Sequence, residues 1–236
     1  MLQNIKELFG EKLAASDGDI GHVKDFFFDD KTWAIRYLVA DTGSWLTGRL
    51  VLLSPHALGE LDLVENTLQV KLHKKQIENS PSIESHRPVS RQYEEDYYRY
   101  YGWPVYWQGG GIWGMGSYPI IKPPPSENLH HRGHNQQDDI HLRSIKAVTG
   151  YHIQATDGAI GVVSSFLVDD KSWAIHELVV ETSHWYSGKE ILISPGKIER
   201  ISYEDSKVFV NLTKAAIQQR TAEDELAKAG AGKQGT

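Results

Sequence analysis

The stretch GEKLAASDGDIGHVKDFFFDDKTWAIRYLVADTGSWLTGRLVLLSP (Gly10–Pro55) returns without a gap as GYHIQATDGAIGVVSSFLVDDKSWAIHELVVETSHWYSGKEILISP (Gly150–Pro195). Between Leu2–Ile77 and Leu142–Ile217, 29 of 76 aligned positions are identical. Self-similarity over that length makes the chain two copies of one structural unit. A function for the protein must therefore account for two copies, or for one copy that has specialised.

Each copy reads as short strands separated by turn signals. Asp17-Gly18 and Asp157-Gly158 supply the Asp-Gly pair that tolerates positive φ in tight hairpins. The next strands, Ile20–Phe28 and Ile160–Val168, carry Gly21 and Gly161 and break strict alternation, which predicts a glycine bulge. Asp29-Asp30-Lys31 and Asp169-Asp170-Lys171 then turn the chain into Trp33–Ala40 and Trp173–Val180. Trp33, Ile35 and Val39 would line one face of that strand and Ala34, Leu38 and Ala40 the other, with the second copy keeping the pattern. A strand buried on both sides needs a cover, which the sister copy or the intervening segment is expected to provide. Leu68–Leu72 and Val208–Leu212 alternate with period two, and a short helix near His73 or Thr213 should close each copy. About six short strands with little helix predict an all-β fold, each copy closing into a small β-barrel to remove its exposed edges.

The chain has 236 residues, no cysteine and a net charge of −6. The absence of cysteine excludes disulfides, thiolate metal sites and cysteine nucleophiles. With no basic stripe, direct nucleic-acid binding is not expected. No signal peptide or membrane-spanning run is legible, so the reading is a cytoplasmic protein without membrane insertion. The expected organisation is repeat 1 over residues 1–80, an aromatic segment packing on a barrel over 81–107, and a flexible linker over 108–141. Repeat 2 occupies 142–220 and a tail 221–236.

Taken in order, DG-x-IG-x-V, DDK-[TS]-WAI-x-x-LV, T-x-x-W-x-x-G-[RK] and LSP or ISP resemble the PRC-barrel family in both copies. The segment Glu95–Trp107 is also similar to the stretch C-terminal to the barrel in stand-alone bacterial members. The family includes the cytoplasmic domain of the photosynthetic reaction-centre H subunit and the C-terminal domain of a 16S rRNA-maturation factor. The resemblance implies a barrel that serves as a docking surface and not as a catalyst.

Eight of the fifteen residues from Tyr93 to Trp107 are Tyr or Trp. Tyr93, Tyr97, Tyr100 and Tyr101 would form one stripe on a helix, either sealing a barrel or offering a platform to a partner. Candidate protein contacts are therefore Tyr97, Tyr101, Trp103 and Trp107, with the loop residues Trp45, Trp185 and Tyr186 acting as lids or anchors. His130, His131 and His134 form the densest histidine cluster, with Asp138 and Asp139 near, but are weak metal candidates on a tether. Asp29-Asp30 and Asp169-Asp170 read as turn caps. His176, Glu177 and His184 occur in the second copy only and are the candidates for an acid–base or metal pair. No nucleophile triad, phosphate-cradling loop or dinucleotide fingerprint is present, and no cofactor is expected.

These features point to a non-enzymatic interaction or adaptor module with an unidentified protein partner and the option of homo-oligomers. The alternatives are a small-ligand or metal-binding protein, or an enzyme, working in a cleft between the barrels. A third is a ribosome-associated or RNA-processing factor by family analogy.

Overall fold

A computed structural model describes residues 1–62, 66–81, 89, 91–107, 113, 142–182 and 189–219. The protein is mostly β, and its two sheets have seven strands each. The first sheet uses β2 (Lys12–Ala15), β3 (Gly18–Asp29), β4 (Ala34–Asp41), β5 (Leu50–Leu53), β6 (Leu58–Asp62) and β7 (Thr67–Val70) in the order β5-β4-β3-β2-β7-β6. The second uses β9 (His152–Ala155), β10 (Gly158–Asp169), β11 (Ile175–Thr182), β12 (Glu190–Ile193), β13 (Ile198–Ser202) and β14 (Lys207–Val210) in the equivalent order. The pairs β2–β7 and β9–β14 are parallel, and the others on these paths are antiparallel.

The seventh strand of each sheet comes from the start of the other repeat. β1 (Leu2–Asn4) pairs with β10, and β8 (Leu142–Ser144) pairs with β3. The chain accordingly divides into two compact units that do not coincide with the repeats. One gathers Met1–Lys6, Lys146–Asp169 and Ile175–Thr236; the other gathers Glu7–Ile145 with Asp170–Ala174. In the second of these, Ser144 Oγ donates to Asp25 Oδ2 at 2.5 Å and Arg143 Nε to Asp30 Oδ2 at 2.6 Å. In the first, Ser165 Oγ donates to Asn4 Oδ1 at the corresponding place.

Local chemistry accounts for the shared frame. Gly18 and Gly158 take φ of 132° and 135° at the hairpin turns. Asp17 and Asp157 each accept the backbone N–H of the first residue of the closing helix, Lys74 or Lys214. These helices run over α1 (Lys74–Glu78) in the first repeat and 214–219 in the second. The ladder shifts next to Gly21 and Gly161, as the glycine-bulge reading anticipated. A Cβ there would lie 2.0 Å from Asp41 O or 2.1 Å from Glu181 O, so any side chain would drive β4 or β11 away. Asp29 Oδ1 accepts the N–H groups of Lys31 and Thr32, as a turn-capping carboxylate does.

Two sequence expectations are corrected. Trp33 and Trp173 do not open strands; they stand at φ 54° and 56°, in the left-handed region, and β4 and β11 begin after them. Also, the second copy does not keep the two-sided burial of the first. Ala34–Ala40 are all buried, whereas β11 exposes His176 and Glu181 and half-exposes Glu177. The physical reason is the outward set of side chains. Tyr37 becomes Glu177 and Leu50 becomes Glu190, so a half-buried and an exposed carboxylate stand where the first copy has a buried phenol and a half-buried leucine.

Candidate functional site

Among the described residues, buried chemistry-bearing side chains gather on the outer face of β4 and β5 in the unit that holds Glu7–Ile145. There α2 (Arg91–Tyr101) brings Tyr97 and Tyr98, both fully buried, against Tyr37, with ring centres 5.4 and 6.4 Å away. Tyr97 Oη accepts the Ser54 N–H at 2.9 Å and donates to the Leu52 carbonyl at 3.0 Å, so one phenol ties the helix to β5. Glu94, one turn earlier and fully buried, accepts from Tyr37 Oη at 2.8 Å and Tyr106 Oη at 2.6 Å. Burial pushes the phenols of Tyr37, Tyr97 and Tyr98 up, so they remain neutral.

A cation and an imidazole sit beside this helix. Arg36 is fully buried, with its guanidinium 3.8 Å from the centre of Tyr106 and 4.9 Å from that of Trp113. It donates to Thr32 Oγ1 and lies 3.7 Å from Asp29 Oδ2. Burial lowers its pKa, while Tyr106, Tyr98 and Asp29 oppose that shift. His56 stacks on Trp103 and meets Trp113 and Tyr98 edge-on. Its pKa is lowered to about 4, first by burial and then by Arg36, which makes the imidazole neutral at neutral pH. Trp113 donates to the Ser172 carbonyl, and Trp173 of the same turn stacks on Phe26 at 6.1 Å. Rings, guanidinium and imidazole thus fill one another's space, and the assembly clamps the segment after α2 onto the sheet.

The candidate contact residues fall in several places. Tyr97 is buried, and Tyr101 is half-buried and stacked on Trp103 at 4.4 Å. Trp103 and Trp107 are half-buried, the latter against Tyr98 and Tyr106. Trp45 is half-buried in its loop, with the Lys74 ammonium 4.7 Å over its ring. Trp185, Tyr186, His184, His130, His131, His134, Asp138 and Asp139 lie outside the described residues. His176 is exposed and Glu177 is half-buried. Among the described residues, no group of three or more His, Asp or Glu is placed to hold a metal.

Sequence reading missed Arg36, His56, Tyr98 and Glu94 as members of one cluster. Glu94 sits three residues before Tyr97 on the same face of α2. Its signal was available in the i, i+4 spacing of Glu94 and Tyr98. Tyr100, placed in the stripe by sequence, is instead 44 % exposed.

The fold and this clamped face define a small β-domain used twice. Residues 4–77 match the PRC-barrel domain, and the chain therefore carries a PRC-barrel over its first repeat. The second repeat reproduces the strand order of the first and 29 of its 76 positions. No curated protein matches the chain. Among the described residues, no helix is long and apolar enough to cross a membrane.

Proposed function

We propose that the protein is a non-enzymatic adaptor in which two PRC-type barrels present outer sheet faces to other proteins. One observation carries this reading. The same β-frame appears twice, and on one copy the outer face already holds an aromatic helix through buried rings and backbone hydrogen bonds. A face that grips a helix in the first repeat is a docking surface by construction, and the second repeat carries the same frame with different outward residues. The buried Arg36, Glu94 and His56 support a structural reading of the ionisable cluster, because aromatic neighbours close over each of them.

The test is affinity capture with the full-length protein under cross-linking, followed by mass spectrometry, alongside a turnover screen against hydrolase, transferase and oxidoreductase substrates. Saturable recovery of a defined protein with no turnover is expected. Specific turnover without any captured protein would overturn the adaptor reading.

A further inference from the structure

The two outer faces can be compared residue by residue. In the first repeat, Val39 pairs with Leu52 and Asp41 with Leu50; in the second, Val179 pairs with Leu192 and Glu181 with Glu190. Leu52 is 1 % exposed beneath Tyr97, whereas Leu192 is 49 % exposed. Tyr97 bridges the Leu52 carbonyl and the Ser54 N–H. Among the described residues, no side chain bridges the matching Leu192 carbonyl and Ser194 N–H. The apolar seat and the backbone donor–acceptor pair are thus both repeated, without the helix.

The electrostatics are not repeated. β11 and β12 carry Glu177, Glu181 and Glu190 and no Lys or Arg, and Glu181 and Glu190 are directly opposed and exposed. Carboxylates opposed across a ladder repel each other, a cost relieved by a cation between them. The chain's own helix α2, which carries Glu94, Glu95 and Asp96, would add to that repulsion.

We infer that the β11–β12 face of the second repeat is a docking site for an amphipathic helix of a partner protein. That helix carries a tyrosine to bridge Leu192 O and Ser194 N, an apolar residue to cover the exposed Leu192, and Lys or Arg toward Glu181 and Glu190. The inference rests on the adaptor reading and specifies its partner. The recognition is that of an amphipathic helix laid on a sheet face, with the tyrosine-to-backbone bridge fixing register and charge selecting the sequence.

The probes are two fluorescent peptides spanning residues 89–107: one native, the other with Glu94→Lys, Glu95→Lys and Asp96→Lys. Titrated with the full-length protein, the basic peptide is expected to bind at least about tenfold more tightly than the native one, a difference of roughly 1.4 kcal/mol. Its affinity should fall with added salt and be lost in Leu192→Lys, a change at an exposed position that leaves melting intact. Glu181→Lys with Glu190→Lys should abolish the preference between the peptides. Equal binding of the two peptides, no binding of either, or binding unchanged in Leu192→Lys overturns the inference. Should a captured partner bind Leu192→Lys as well as wild type, the adaptor reading stands and this face falls. Should the basic peptide bind this face while the protein shows specific turnover and captures no partner, the face stands as a helix-binding surface and the adaptor reading falls.

Discussion

The outer face of β4–β5 and that of β11–β12 are built on the same backbone register and share a valine and a leucine, but Tyr37 and Leu50 of the first give way to Glu177 and Glu190 in the second. On the first, Tyr37, Val39 and Leu52 are buried, and a helix that the chain itself supplies packs on Tyr37 and bonds the Leu52 carbonyl. On the second, Glu177, Glu181, Glu190 and Leu192 meet solvent to differing degrees. The inward residues hardly differ: Leu38, Val51 and Leu53 answer to Leu178, Ile191 and Ile193, all buried. Duplication has therefore kept the core that makes the fold and altered the face that decides what lies on it. The face is where the copies specialised.

The comparison can be broken most severely at the paired tryptophans. Trp173 is 4 % exposed and stacked on Phe26, while Trp33 is half-buried beside Phe28. Trp173→Ala should cost about 3–5 kcal/mol and Trp33→Ala clearly less, read by denaturant unfolding. Equal losses would show that burial does not distinguish the two copies at this turn.

Next comes the leucine pair. Leu52→Ala should cost about 2–4 kcal/mol, whereas Leu192→Ala, at an exposed site, should stay within about 0.5 kcal/mol. Similar losses in melting experiments would mean that the second face is covered in solution.

A third comparison uses acid. His56 has no counterpart in the second repeat, where Gly196 occupies its place. With a folded pKa of about 4 against 6.5 unfolded, it contributes stability that is complete above pH 6.5 and lost as pH falls to about 4. The unfolded chain binds the extra proton in that window, so acidification should remove roughly 2–3 kcal/mol. His56→Leu should flatten the unfolding free energy between pH 6.5 and 4 relative to wild type; an unchanged pH slope would show that His56 is not held neutral.

The smallest effect tests the phenol bridge. Tyr97→Phe keeps the ring and removes both hydrogen bonds to β5, and should cost about 1–2 kcal/mol. Hydrogen exchange should quicken at the Ser54 amide and stay unchanged at the Ser194 amide. Unaltered exchange at Ser54 would show that the bridge is not what protects the strand.

Much of the fold was legible because its signals are local. Asp-Gly at the hairpins, the glycines where the strands press together and the self-capping Asp29 act over a few residues, and each stands in the repeat at the expected place. What escaped was long-range. Alternation on β4 gave Trp33 a strand geometry, because a tryptophan carries no signature of the left-handed region, which glycine, asparagine and aspartate favour. The buried cluster escaped for a similar reason. Arg36, His56, Glu94 and Trp113 come from four separate segments, and nothing in the local sequence of any one states its partners. The apolar character of β4 did predict a cover; the tyrosine stripe included the buried Tyr97 but also the exposed Tyr100, and it left out the buried Tyr98.

The traded opening strands give the order of synthesis a structural meaning. The first sheet lacks its seventh strand until Leu142–Ser144 has left the ribosome, long after the remainder of that sheet has been made. Leu2–Asn4, among the first residues made, has its strand partner on β10, which is made much later. Neither seven-stranded sheet is complete until the second repeat has been made, so completion of the first sheet waits on the second repeat. A chain stopped before residue 142 leaves Asp25 and Asp30 without Ser144 and Arg143. Such a fragment should bind a synthetic peptide of residues 140–147, and failure to do so would show that the first repeat completes itself by another route.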